Sequence, residues 1–305
     1  MPGGRRIEGD MTNIGEQAKP PFAVLPDPSA LFSARAARFR VLASGHQLAP
    51  YLEFLGQVTT AQHDIIATLP DAILPPADGM AQALQHGMPQ LALAQDEPDA
   101  AMLAAVEQLA ARLEAAPLPQ GTLVVVAALR GDLLVRGPEL VAAVLRDAMP
   151  ADDMARHVLV LAGLQVHFTR LAAKLDAGAL KPVANAVCPS CGCPPMVSAI
   201  VGWPRAYNTR YCTCGRCGTM WNVIRATCVL CGTPEGVSFR GIEDAPDTVK
   251  AETCEKCRSY VKVVYQVKDA ALDSLCDDVA TVGLDMLLAE EGWKRGGQNP
   301  FLLGY

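Results

Sequence analysis

Cys188-Pro-Ser-Cys191, Cys214-Gly-Arg-Cys217, Cys228-Val-Leu-Cys231 and Cys254-Glu-Lys-Cys257 are four Cys-x-x-Cys pairs in one run of the chain. The first two pairs are separated by 22 residues, as are the last two, so the whole set repeats at an offset of 40. A four-cysteine pattern recurring at one constant offset reads as two copies of one unit. Two thiolates three positions apart can face one cation from a tight turn, and two such turns supply a tetrahedral set. The expected ligands are therefore Cys188, Cys191, Cys214 and Cys217 for the first ion, and Cys228, Cys231, Cys254 and Cys257 for the second, with interleaved pairing of the four pairs as the alternative. Gly192, Gly218 and Gly232 follow three of the pairs and can take a positive φ that turns backbone N–H groups toward sulfur; Arg258 follows the fourth.

Between the pairs lie short strand-like runs: Met196 to Val201, Arg210 to Cys212, Met220 to Ile224, Val237 to Arg240, Thr248 to Thr253 and Tyr260 to Tyr265. This is the layout of zinc ribbons or rubredoxins, with metal-holding turns on small antiparallel hairpins. Cys193 and Cys212 fall outside the repeat, since Thr233 and Glu252 occupy the positions 40 residues on. Both are read as bystanders, as is Cys276, which lies on the apolar side of a helical stripe running from Leu272 to Leu287. A set of four cysteines suits iron or zinc, and ligand identity alone does not choose between them.

Upstream of residue 180 the chain is rich in alanine and leucine and has no cysteine. Leu48 to Leu69, Met102 to Leu113, Leu140 to Leu145 and Leu161 to Leu175 carry apolar residues at helical spacing, separated by proline-marked loops. Thr122 to Leu129 is too short for periodicity to separate helix from buried strand. The expected fold is α+β: an all-α domain over residues 29–182, two tandem ribbon modules over 183–226 and 227–268, and a C-terminal helix with a docking tail over 269–305. Residues 1–28 read as a disordered lead-in without the apolar core of a secretory signal. All five histidines lie in the helical part, and His157, on an apolar stripe, reads as a satisfied core residue. Arg35, Arg38 and Arg40 read as a solvated basic face, and Asp277 and Asp278 as a solvated acidic pair.

The net charge of −6 argues against a nucleic-acid binder. From Cys188 to Lys268 there are ten Lys or Arg and six Asp or Glu, an excess that two divalent ions among eight thiolates would cancel. No apolar run approaches the roughly 20 residues of a membrane helix, so no membrane insertion is expected. Paired thiols without a signal peptide favour metal thiolates in the reducing cytoplasm over disulfides. No nucleophile–base arrangement, phosphate-cradling loop or His-Glu-x-x-His supports catalysis, and nothing fixes how many chains associate.

With these pairs placed, the chain resembles the FdhE family of formate dehydrogenase accessory proteins. The resemblance is carried by Cys188-Pro-Ser-Cys-Gly192, Arg210-Tyr211, the Cys217, Trp221 and Cys228 spacing, and Lys250-Ala-Glu252 leading into Cys254-Glu-Lys-Cys257. Asp277-Asp-Val-Ala280, Glu291-Gly-Trp293, Asn299-Pro-Phe301 and the early stretch with Arg38, Leu42, Ala43 and Tyr51-Leu52 are also similar. It extends from about residue 25 onward, weakest between 70 and 155; Cys193, Cys212 and Cys276 depart from the family pattern. The resemblance implies a non-catalytic cytoplasmic protein that binds the catalytic subunit of a respiratory molybdenum formate dehydrogenase and is needed for its maturation, with iron in rubredoxin-like sites. A small electron carrier and a zinc-ribbon adaptor for another protein are the alternatives.

Overall fold

The computed structural model describes residues 19–303 apart from positions 96 and 244. Most of the expected lead-in lies outside the described residues, but its last part forms strand β1 (Ala23–Val24). The helical domain follows as α1 (Pro28–Ala43), α2 (Ala49–Ile66), α3 (Ala77–Gln85), α4 (Ala100–Glu114), α5 (Gln120–Leu145) and α6 (Met154–Ala172). Asp27 caps α1 by accepting from the Ser29 N–H, and Asp99 caps α4 by accepting from Met102 N–H. The ambiguous Thr122 to Leu129 stretch is helical: Val126 and Leu129 are buried three positions apart, whereas Val124, which strand alternation would also bury, is exposed. Pro138, which has no N–H to donate, sits just beyond a kink at Arg136 in α5. Short α3 has no fully buried residue, and its Met80 packs partly buried against the core. α6 is buried on nearly every face, and His157 is a satisfied core residue there, its Nδ1 2.8 Å from the Asp153 carbonyl oxygen.

The cysteine-bearing part forms strands β2 (Pro195–Val201), β3 (Thr209–Cys214), β4 (Met220–Asn222), β5 (Val237–Arg240), β6 (Val249–Cys254) and β7 (Ser259–Val264), with β8 (Lys294–Arg295) at the end. The two ribbons do not stand apart. They join through a parallel β2–β7 pairing, Ser198 beside Val263 and Ala199 beside Val264, into one sheet of order β1-β4-β3-β2-β7-β6-β5. Across this seam the buried Arg210 guanidinium, from the first ribbon, pairs with the buried Glu252 carboxylate of the second and donates to Ser198 Oγ.

The C-terminal stripe is two short helices, α7 (Cys276–Ala280) and α8 (Val282–Glu290), broken at Thr281. The cause lies on β7. The fully buried Lys262 ammonium donates to the carbonyls of Asp278 and Thr281 at 2.7 and 3.0 Å. The acidic pair is accordingly not solvated. Asp278 is buried against Lys262 and Arg295, while Asp277 accepts two hydrogen bonds from Arg38 on α1. Burial works to raise both carboxyls. For Asp278 the two cations win and hold it below the ordinary range, whereas for Asp277 burial outweighs Arg38. Of the early basic cluster only Arg40 is exposed, because Arg35 and Arg38 face Asp273 and Asp277 and tie α1 to the tail.

Candidate metal centres

Each Cys-x-x-Cys forms the same closed turn. The N–H of the residue after the second cysteine donates to the carbonyl of the first: Gly192 to Cys188, Gly218 to Cys214, Gly232 to Cys228 and Arg258 to Cys254, at 2.9 to 3.2 Å. All four residues have positive φ, from 54° at Arg258 to 83° at Gly192. The N–H groups of the glycines themselves therefore close the turn onto a carbonyl. N–H groups inside the turn serve the sulfurs instead: Cys217 N–H approaches Cys214 Sγ at 3.5 Å, and those of Leu230 and Cys231 point at the Cys228 sulfur.

The hairpins bring the turns together in sequential pairs. Cys188, Cys191, Cys214 and Cys217 form one cluster, site 1; Cys228, Cys231, Cys254 and Cys257 form the other, site 2; within each, all four Sγ atoms lie within 4.8 Å of one another. The sulfurs approach in the same order in both, 3.7 Å for Cys188 with Cys217 and 3.4 Å for Cys191 with Cys214, against 3.9 Å for Cys228 with Cys257 and 3.7 Å for Cys231 with Cys254. An ion bound tetrahedrally with metal–sulfur bonds of about 2.3 Å would set its sulfurs about 3.8 Å apart. The donor sets fit such an ion, and either could hold one.

Proton chemistry points the same way. Burial pushes the Cys188 thiol well up, the neighbouring thiols push Cys191 up, and Cys214 is pulled down because the other thiols donate to it. At site 2 burial pushes Cys228 up to about 12, while at Cys254 burial is outweighed by the N–H groups of Cys257 and Lys256 together with the thiols of Cys231 and Cys257, which lower it. Without a cation these clusters cannot ionise together; a bound cation stabilises all four thiolates at once.

Cys193, Cys212 and Cys276 lie outside both clusters. Cys212 is buried on β3, and burial pushes it up to about 12. Cys276 opens α7 with its thiol directed at the Arg35 carbonyl. Cys193 is closer to the chemistry: its carbonyl accepts from Cys188 N–H, and its thiol lies 3.8 Å from Gln95 Oε1.

Several groups that grip site 1 were not singled out in the sequence. Gln95 donates to the Cys191 carbonyl and accepts from Arg216, which also donates to the Val144 carbonyl. Gln165 on α6 donates to Gly215 O at 2.6 Å, and Leu91 N–H donates to Ser190 O at 2.8 Å. Cys217 donates to Thr219 Oγ1, which donates to Ser190 Oγ. The Cys-Gly-Thr run shared by 217–219 and 231–233 was a legible signal; Gln95 and Gln165, distant in sequence, left none.

Family comparisons agree with this geometry. Three FdhE family models match in succession: the N-terminal one over residues 20–185, the central one over 187–225 and the C-terminal domain over 226–302. A protein FdhE homolog of Rhizobium meliloti is 37% identical over 303 residues, covering 98% of each chain. Another from Stutzerimonas stutzeri is 33% identical over 292 residues, covering 93% of each. The crystal structure of the FdhE protein from Pseudomonas aeruginosa superposes with a TM-score of 0.79 at 28% identity, covering 93% of this chain and 99% of that one. This chain, with its two four-cysteine clusters in one sheet, belongs to the FdhE family.

Proposed function

We propose that the chain is a non-catalytic accessory protein that binds the catalytic subunit of a respiratory formate dehydrogenase in the cytoplasm and is needed for that enzyme's maturation. The eight clustered cysteines are its metal ligands, and iron is the ion, with zinc the alternative. The observation that carries the reading is the closed donor set: four protein sulfurs at tetrahedral spacing leave no position for a substrate, in a chain whose family is named for formate dehydrogenase. Iron in such a set supplies a one-electron couple; zinc supplies shape alone. The helical domain (29–182), the ribbons (183–226 and 227–268) and the tail (269–305) act together as the docking body, because the helical domain hydrogen-bonds the site 1 turns and the tail pairs with α1 and β7.

The test is co-purification. Tagged protein recovers the formate dehydrogenase catalytic subunit, and the Cys188→Ser/Cys228→Ser variant lowers the enzyme's activity in cells. Recovery of no such subunit, together with normal activity in the variant strain, refutes the proposal. The half-exposed Cys231 and Cys257 favour electron transfer at site 2 as a second reading. Anaerobically purified protein that is red, with a reversible one-electron couple, supports it; colourless protein holding zinc refutes it.

A further inference from the structure

The two ribbons match strand for strand, yet one edge is filled in the first and open in the second. Phe239 of β5 faces Glu252 across the β5–β6 ladder as Ser198 of β2 faces Cys212 across β2–β3, and Cys212 and Glu252 stand 40 residues apart. β5 is therefore the counterpart of β2, with Phe239 in the place of Ser198. On its other side β2 receives β7 as a parallel strand, Ser198 beside Val263 and Ala199 beside Val264. β5 receives no such strand among the described residues, and the sheet ends there. Glu255 N–H donates to the Gly236 carbonyl, so by the alternation of an antiparallel ladder Ser238 and Arg240 bond β6 while the N–H and C=O of Phe239 face outward. Edge strands are ordinarily guarded by charge, proline or shortness. β1, at the far end of the sheet, is two residues long. β5 instead carries Phe239 at 48% exposure, and its Arg240 is turned back onto Glu291 and onto Trp293, 5.1 Å from the ring centre.

We propose that β5 binds an extended segment of a partner protein as an added parallel strand, one in which apolar and basic residues alternate. Successive side chains of such a strand point to opposite faces of the sheet, and β5 has a groove on each, with Phe239 lining both. On one face a groove of about 440 Å³ has Ile200, Ala226, Phe239 and Tyr265 in its walls, which suits an apolar side chain, and Arg225 beside them opposes a cation. On the other face a groove of about 540 Å³ runs past Leu284, Leu287 and Leu288 to Glu290 and Glu291. Arg240 occupies the Glu291 carboxylate, whereas the exposed Glu290 has no cation paired with it among the described residues. A lysine or arginine laid along Leu287 covers that side chain with its stem and brings its charge to Glu290. The added strand takes the place at β5 that β7 takes at β2.

Fluorescence anisotropy of a labelled peptide of about eight residues, valine alternating with lysine, titrated with the full-length protein, tests this. Saturable binding is expected. Methylating the lysine amides, which in this register donate to the Phe239 carbonyl, should abolish it, and methylating the valine amides, which point away, should leave it within about twofold. Phe239→Pro, a change the open side of an edge strand tolerates, should weaken binding at least about tenfold. Glu290→Lys, on the exposed surface, should weaken it about fivefold and remove the preference over a peptide of alternating valine and glutamate. No saturable binding, equal loss with either methylated peptide, or equal affinity of the wild type for the lysine and glutamate peptides overturns the proposal. So does a dimer in sedimentation that Phe239→Pro dissolves, since a second copy then fills the edge. Peptide binding that appears only after residues 1–18 are deleted overturns it as well, since the chain's own start then fills it. No formate dehydrogenase subunit enters these measurements, so their failure leaves the proposed function standing and the failure of co-purification leaves the edge.

Discussion

The two clusters share spacing, turn geometry and sulfur order, yet they occupy different surroundings. At site 1 the helical domain closes over both turns: Pro89 lies against Gly192, Pro26 and Leu31 lie against Gly218, and Gln95, Gln165 and Arg216 fasten the backbone to the helices. At site 2 the turns are covered by shorter-range neighbours, Asn185 against Gly232 and Trp293 over Arg258, and Cys231 and Cys257 stay half-exposed. A duplicated ligand pattern thus states what each copy binds and leaves unstated what each copy does. Burial, set by residues that are not duplicated, makes site 1 the joint between helices and sheet and site 2 the accessible face.

Removing a ligand is the harshest test of that division. Cys188→Ser takes a sulfur from the site that the helical domain is fastened to. We expect it to destabilise the metal-loaded protein by more than about 3 kcal/mol. Cys231→Ser, half-exposed and remote from the helices, is expected to cost less than half as much while still weakening metal binding at its own site. Thermal and denaturant unfolding of the two variants in parallel checks this; equal losses would show that the two clusters hold the molecule together alike.

The seam between the ribbons gives the next effect in size. Arg210 and Glu252 are both almost fully buried, so Arg210→Met leaves a carboxylate in the sheet without its cation, at a cost of about 3–5 kcal/mol. Arg210→Met/Glu252→Leu is expected to recover most of that loss, since an apolar pair of similar volume has no charge to desolvate. If site 2 rides on site 1 through this seam, the single variant unfolds in two steps followed by separate probes, and the double variant in one. A single cooperative transition in Arg210→Met would place the coupling in the β2–β7 backbone pairing instead.

The sequence made the two cysteine clusters legible because a four-cysteine site writes itself locally: both halves of each pair lie within four residues, and the offset of 40 repeats the pattern. The main helices were equally open, since Leu52, Leu55, Val58 and Ile65 of α2 bury one face at regular spacing. What stayed hidden involves partners far apart. Lys262 on β7 is an ordinary strand residue in sequence, and only its approach to Asp278, Asp285 and the Thr281 carbonyl explains why the last helical stripe breaks. Arg38 and Asp277 each read as a solvated charge because nothing local reveals a partner 239 residues away. The parallel β2–β7 join was hidden for the same reason, as each ribbon taken alone predicts its own antiparallel hairpins and nothing between them.

The smallest effect concerns the one turn that departs from the glycine rule. Arg258 holds φ at 54°, a region that costs a side-chain-bearing residue about 1–2 kcal/mol relative to its preferred backbone. Its guanidinium stacks 4.1 Å from the Trp293 ring centre, a contact worth about 0.5–1 kcal/mol at an exposed site. The Glu255 ion pair, about half-exposed on both sides, adds little. These terms nearly cancel, so Arg258→Gly is expected to change stability by no more than about 0.5 kcal/mol in either direction. In a Trp293→Leu background, where the stacking is already gone, the same substitution should become stabilising by about 1 kcal/mol. Gly232→Ala at the matching turn of the same site should do the opposite, because φ is 74° there and an added Cβ would lie 2.3 Å from Asn185 Nδ2. A clear loss for Arg258→Gly in both backgrounds would mean that the arginine holds the site 2 turn through something other than the tail's tryptophan. The two turns of site 2 would then differ in kind, as the two sites do.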